Sequence, residues 1–131
     1  MQNKLNSILL NKHLSDIDKN NLILDLAEAR DVNLYENILE YLSKSQESKY
    51  KSVLVYALTF YPPEPLLEKA IAWLITGNFD VAHSAFNILN SIEEISGEQV
   101  DKSFNDLTLS LKDIHEEWRV ELINEILSMF N

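Results

Sequence analysis

The chain has 131 residues, no cysteine and a formal net charge of −10, from 21 acidic and 11 basic side chains. That length suffices for one domain burying about two thirds of the surface its unfolded form exposes, and without cysteine there are no disulfides, thiolate nucleophiles or sulfur-ligated zinc. The acidic balance argues against nucleic acid as a ligand, because phosphate binding needs clustered lysine and arginine.

Few breakers, no strand-like alternation and apolar residues at three- and four-residue spacing predict an all-α protein. The opening stretch MQNKLNSILLNKHL holds only a three-residue apolar run, too short for a secretory leader, and predicts a first helix over roughly 2–13. Ser15 followed by Asp18 resembles a capping box and opens a second helix at about 16–29, with a third at about 33–43. A fourth, at about 48–60, stops at YPPEP, which opens the fifth at about 64–76 with proline in its first turn. That placement outweighs reading the Pro-x-x-Pro spacing as an extended peptide ligand. Gly77-Asn78 ends the fifth helix, the sixth runs over about 79–92, SGEQ at Ser96 to Gln99 breaks the chain again, and two more helices cover about 98–111 and 114–129. The longest apolar run, Ala70 to Ile75, is far below membrane-spanning length, so a soluble, cytoplasmic protein is expected.

The segment YKSVLVYAL (50–58) overlays VAHSAFNIL (81–89), and RVELINEIL (119–127) fits the same frame, with KNNLILDLA (19–27) fitting less well. Between these copies lie matching helices with apolar stripes at Leu34, Ile38 and Leu42, at Leu67, Ala70, Ile71 and Leu74, and at Val100, Phe104, Leu107 and Leu111. A helix pair of this kind cannot bury its apolar face alone, so stacking is needed to form a core. The expected fold is a short right-handed α-solenoid of about four antiparallel helix pairs in one domain over 1–131.

Catalytic motifs are missing. HEEWR (115–119) begins like the metalloprotease HExxH helix, but Arg119 stands where the second histidine would be. Neither glycine sits in a phosphate-cradling loop, no serine occupies a nucleophile elbow, and pairs such as Glu93-Glu94 or Glu116-Glu117 arise on any solvated helix face. Neither an enzyme activity nor a cofactor or metal is expected.

On the sixth helix, Val81, Ala85, Ile88, Leu89 and Ile92 form the apolar stripe, while His83, Asn87, Asn90 and Glu94 form a polar stripe away from it. For His83 the competing reading is a half-buried side chain bonding within the fold. The repeat frame aligns this stripe with Ser52, Tyr56 and Thr59, with Glu121, Glu125 and Ser128, and more loosely with Asn21, Asp25 and Glu28. Trp73 and Trp118 also look like partner anchors, but each adjoins apolar stripe residues, and both are assigned to the core. From Ser91 onward ten acids face three bases, a net of −7, which suits either simple solubility or steering of a basic partner.

The run from Lys51 through Leu89 resembles the HEAT-repeat pattern in Ala57-Leu58, Pro62-Pro63-Glu64, Leu66-Leu67 with Leu74, Asp80, and Val81 with Ala85, although Ala82 replaces the usual arginine. More narrowly, LVYAL (54–58), FYPP (60–63) and GNFDVAHSA (77–85) are similar to the central stretch of small acidic HEAT-like immunity proteins found beside bacterial polymorphic or contact-dependent inhibition toxins. This resemblance implies a non-catalytic, free-standing monomer that neutralises a cognate toxin domain, often a nuclease, through that domain's basic surface. The expected partner-binding residues are Tyr56, Asp80, His83, Asn87, Asn90, Glu94, Glu121 and Glu125. A scaffold or adaptor for an endogenous partner is the alternative that the same features allow.

Overall fold

A computed structural model describes residues 3–44 and 48–129. Among these residues there are eight α-helices, two short 3-10 turns and no strand, and no helix is long and apolar enough to cross a membrane. The chain divides into two compact units, Met1–Tyr61 and Pro62–Asn131.

The first unit contains α1 (Lys4–Leu9), α2 (Asp16–Glu28), α3 (Val32–Lys44) and α4 (Lys51–Leu58). Helix α1 is shorter than its apolar spacing predicts, and the expected start at residue 2 lies outside the described residues. Its early end has a local cause: Asn11 Oδ1 accepts the His13 N–H at 2.9 Å, offering the backbone an alternative to helix. Ser15 opens α2 with the capping box that the sequence signals, its hydroxyl accepting from the Asp18 N–H at 3.1 Å. Beyond α2 the chain reverses through Arg30, whose φ is 56°. Bonds from the Asp31 N–H to Leu26 O (3.0 Å) and from the Arg30 N–H to Ala27 O (2.9 Å) complete a Schellman turn.

Asp31 then starts α3, its carboxylate accepting from the Leu34 N–H at 2.9 Å and pairing with Lys4. The Lys4 bond first, and the Leu34 N–H next, hold this carboxyl below the usual carboxylate range. Helix α1 packs on α2 and α3, α2 on α3 and α4, and α3 on α4, enclosing Leu5, Ile23, Leu34, Ile38, Leu54 and Leu58 with no exposed surface. Each such side chain stabilises the fold by roughly 1.5–3 kcal/mol relative to exposure. Tyr61 closes the unit, donating its hydroxyl to Asp31 O at 2.8 Å beside the Tyr35 ring.

In the second unit a 3-10 turn, Glu64–Leu66, leads into α5 (Leu67–Thr76), followed by α6 (Phe79–Asn90), α7 (Gly97–Ser110), a second 3-10 turn at Leu111–Asp113, and α8 (Glu117–Ser128). Gly77 and Asn78 alone separate α5 from α6. A Cβ at Gly77 would lie 2.5 Å from Val81 Cγ1 and 2.6 Å from Trp73 O, so only glycine lets the two helices approach this closely. Asn78 then caps α6 by accepting the Val81 N–H at 2.9 Å.

Helix α6 packs on α5 and beside α8, and α7 touches α5 and α8. Phe79 meets Trp118 where α6 and α8 begin, and Leu89 shares a cavity with Ile126 and Met129 where they end. The two helices therefore run side by side in the same direction. Ser96 and Gln99 form the capping box of α7. Helix α6 stops at Asn90, two residues short of its predicted end, and residues 92–96 run as a loop.

Candidate functional site

The parallel pair α6 and α8 brings together most of the residues that the sequence marks for recognition. On α6 the buried side is Val81, Ala82, Ser84, Ala85, Ile88 and Leu89. Away from it, Phe79, Asp80, Asn87 and Asn90 are exposed and His83 is half-buried. On α8 the buried side is Arg119, Ile123 and Ile126, while Glu117, Glu121, Glu125 and Ser128 are exposed.

Three rings join the helices at their starts. The His83 ring lies 4.0 Å from that of Phe79 and 5.8 Å from that of Trp118, stacked at 28° on the latter, and Phe79 meets Trp118 edge-on at 5.0 Å. His83 Nδ1 is 2.8 Å from Phe79 O. A carbonyl can only accept, so the contact assigns a proton to Nδ1, which donates to it. Phe79 remains 53% exposed, which makes this cluster an apolar knob at the edge of a polar face.

Arg119 sets the electrostatics. Its side chain is buried, with Nη1 donating to Leu74 O at 2.7 Å and Nη2 to Gly77 O at 2.6 Å. These carbonyls lie at the C-terminal end of α5, where the helix dipole favours a cation. Nε and Nη2 also donate to the two Glu116 carboxylate oxygens at 3.1 and 3.0 Å. The guanidinium bond is the chief reason that the Glu116 carboxyl sits below its ordinary range. The position that rules out a second zinc-binding histidine is thus a structural clamp.

A consequence follows for the surface. Helix α6 contains no lysine or arginine and α8 contains only Arg119, so the two helices expose no lysine or arginine. Among the described residues no ion pair reaches Asp80, Glu117, Glu121 or Glu125. The three glutamates recur at four-residue intervals, a like-charge spacing that destabilises a helix by a few tenths of a kcal/mol per pair. Exposed acceptors at this density can take hydrogen bonds from lysine and arginine donors.

Comparison with family models, curated proteins and solved structures finds no match to the chain. The site therefore rests on its own geometry. Asp80, His83, Asn87, Asn90, Glu121 and Glu125 lie on the α6–α8 pair, whereas Glu94 does not share the helical stripe, because it is an exposed residue of the loop after α6. Tyr56 belongs to the first unit, on α4, where it is 45% exposed and meets Phe60 edge-on. Two site residues are left out of the expected set. Phe79 falls outside the chosen stripe although it stands one helical turn before His83, and Trp118, assigned to the core, is half-buried on the aromatic knob three residues before Glu121. Trp73 is also half-buried. Among the described residues no group of three histidine or acidic side chains is placed to hold a metal ion.

Proposed function

We propose that the chain is a protein-binding module, an immunity protein that neutralises a cognate toxin domain by laying the α6–α8 face over its basic surface. The observation that carries this reading is the burial of the one cation on these two helices beside unpaired, mutually repelling carboxylates. A solvated face made only for stability would interleave lysines at the same spacing. The packing pattern supports a HEAT-like α-solenoid as the scaffold. Within the first unit α1 meets α3 and α2 meets α4; within the second α5 meets α7 and α6 meets α8, as stacked helix pairs require.

Inhibition works by occlusion. A nuclease groove must be basic to hold phosphate, and the acidic face competes for the same lysines and arginines, speeds encounter by steering, and holds through charge-assisted hydrogen bonds. Phe79 and Trp118 supply buried aromatic area at the rim, and Asn87 and Asn90 supply adaptable amides.

The test is co-purification of the tagged protein with the product of the neighbouring gene, at low and moderate salt. A single toxin domain held in equal amount supports the reading; a metabolic complex, or nothing, defeats it. With that domain in hand, the double substitution Glu121→Lys and Glu125→Lys should slow association about tenfold at low salt while leaving helical content unchanged. An association rate that is indifferent to salt would remove steering from the mechanism.

A further inference from the structure

The second unit contains a cavity of about 150 Å³ lined by Leu67, Leu89, Ile92, Ile95, Ile126 and Met129, with Glu93 as its one charged wall residue. It lies where α6 and α8 end, opposite the aromatic knob at their starts. Ile92 and Ile95 reach it from the 92–96 loop, which explains why an apolar spacing that imitates a helix persists past Asn90. The loop is tied back by the Glu93 N–H, 3.4 Å from a carboxylate oxygen of Glu64, so a second acid stands close by.

We infer that this cavity receives a lysine side chain of the partner that covers the α6–α8 face; the inference rests on that proposed function. Size supports it. The volume is about half the lower limit of ordinary small-molecule sites, roughly 300 Å³, and apolar cavities of this size hold about six heavy atoms, as in a benzene ring. Lysine beyond its Cα has five heavy atoms. Chemistry supports it as well. Apolar walls suit the methylene stem, and Glu93 suits the ammonium, which a long side chain can carry to the rim while its stem stays dry. Unit charge points the same way, since Pro62–Asn131 carry thirteen acidic and four basic residues. Glu93 is exposed at the mouth, so an aromatic or aliphatic anchor would fill the walls but leave that carboxylate unused, whereas an ammonium would meet it.

The chain has two methionines, Met1 and Met129, so labelling the methionine methyl groups with carbon-13 gives one resonance from the cavity wall and one far from it in sequence. The full-length protein is titrated with two probes of equal stem, N-acetyl-lysine methylamide and N-acetyl-norleucine methylamide. The lysine probe should shift the Met129 methyl saturably and bind roughly two- to fivefold tighter than the norleucine probe, the range for a solvent-accessible ion pair. Glu93→Gln should abolish that preference, and Ile95→Trp should block both probes. Absence of a saturable shift, tighter binding of norleucine, or a preference that survives Glu93→Gln overturns the inference. If the probes behave as expected but Glu93→Gln leaves co-purified toxin binding unchanged, the partner does not use the cavity. If the cavity fails while Glu121→Lys with Glu125→Lys still slows association, the acidic face stands without it.

Discussion

Residues Met1–Tyr61 carry eight acidic and seven basic side chains, a net of −1, whereas Pro62–Asn131 carry thirteen and four, a net of −9. Both units are built from four α-helices around aliphatic cores, so packing is not what separates them. In the first, cations serve the fold: Lys4 pairs with Asp31, Lys49 with Asp16, and the buried Lys19 ammonium donates to Leu9 O at 2.8 Å, at the end of α1. In the second, Arg119 is drawn inside to clamp α5, and the carboxylates of α6 and α8 are left to repel one another. Net charge speaks to association rather than to fold. The difference teaches that the acidity of the second unit is not explained by ion pairs within its α6 and α8 helices, and it is what the proposed surface for a basic partner would require.

The sharpest way to break this contrast is to remove the clamp. Arg119→Ala takes four hydrogen-bonding contacts from the end of α5 and from Glu116, and should destabilise the second unit by about 3 kcal/mol, the usual scale for dismantling a buried charged network. Arg119→Lys keeps the charge but loses the fork, and should fall between. Both tryptophans, Trp73 and Trp118, lie in the second unit and all five tyrosines in the first. Tryptophan fluorescence therefore reports the damaged unit, and amide exchange in α2 and α3 reports the other. Equal loss of protection in both would show that the units do not differ in what Arg119 supports. Because the guanidinium holds Glu116 below its ordinary range, that part of the clamp is present above about pH 4.3 and lost as pH falls further.

The same residue shows where sequence reasoning stops. Helix number and the start of α2 were legible because the cause is local, Ser15 with Asp18 forming a capping box within four residues; Ser96 to Gln99 read only as a break, although the two residues form a second capping box. The partners of Arg119, Leu74 O and Gly77 O, lie 45 and 42 residues away, and no spacing announces them. Boundary errors have the same origin. Asn11 ends α1 through a side-chain bond that competes with the helix, and Ile92 with Ile95 continue the helical period while lining a cavity from a loop, which carried Glu94 into a stripe it does not share. For the candidate site, the polar stripes on α6 and α8 were readable from periodicity. The pairing of Phe79 with Trp118 was not, because it depends on which helices lie side by side.

A pH ramp sharpens the comparison from the other side. Burial, with Asp31 adding a smaller effect, pushes the Tyr61 hydroxyl up to about 12, against an ordinary value of about 10. The folded state therefore favours the neutral phenol. The stability this contributes is complete below about pH 10 and is lost as pH rises towards 12, a loss on the order of 2 kcal/mol. Burial raises Tyr35 as well, so it acts in the same direction. Alkaline titration followed by tyrosinate absorbance should show the first unit weakening, with the slope reduced in Tyr61→Phe. At neutral pH that variant should lose only about 1 kcal/mol, for the hydrogen bond to Asp31 O.

The smallest expected effect is a gain, and it is confined to the first unit. Arg30 occupies the left-handed position of the Schellman turn at φ 56°, where a side chain with a Cβ costs about 1 kcal/mol and glycine is the usual occupant. No hydrogen bond or ion pair of its side chain in the described structure opposes replacement. Arg30→Gly should therefore stabilise the unit by about 0.5–1 kcal/mol, the strain relieved less the extra chain entropy that glycine loses on folding. Arg30→Ala is the control, because alanine removes the charge and keeps the Cβ. Chemical denaturation of both variants separates the causes: a gain for glycine alone places the cost in the backbone, whereas equal gains would place it in the guanidinium and make charge, even in the nearly neutral unit, a burden on the fold.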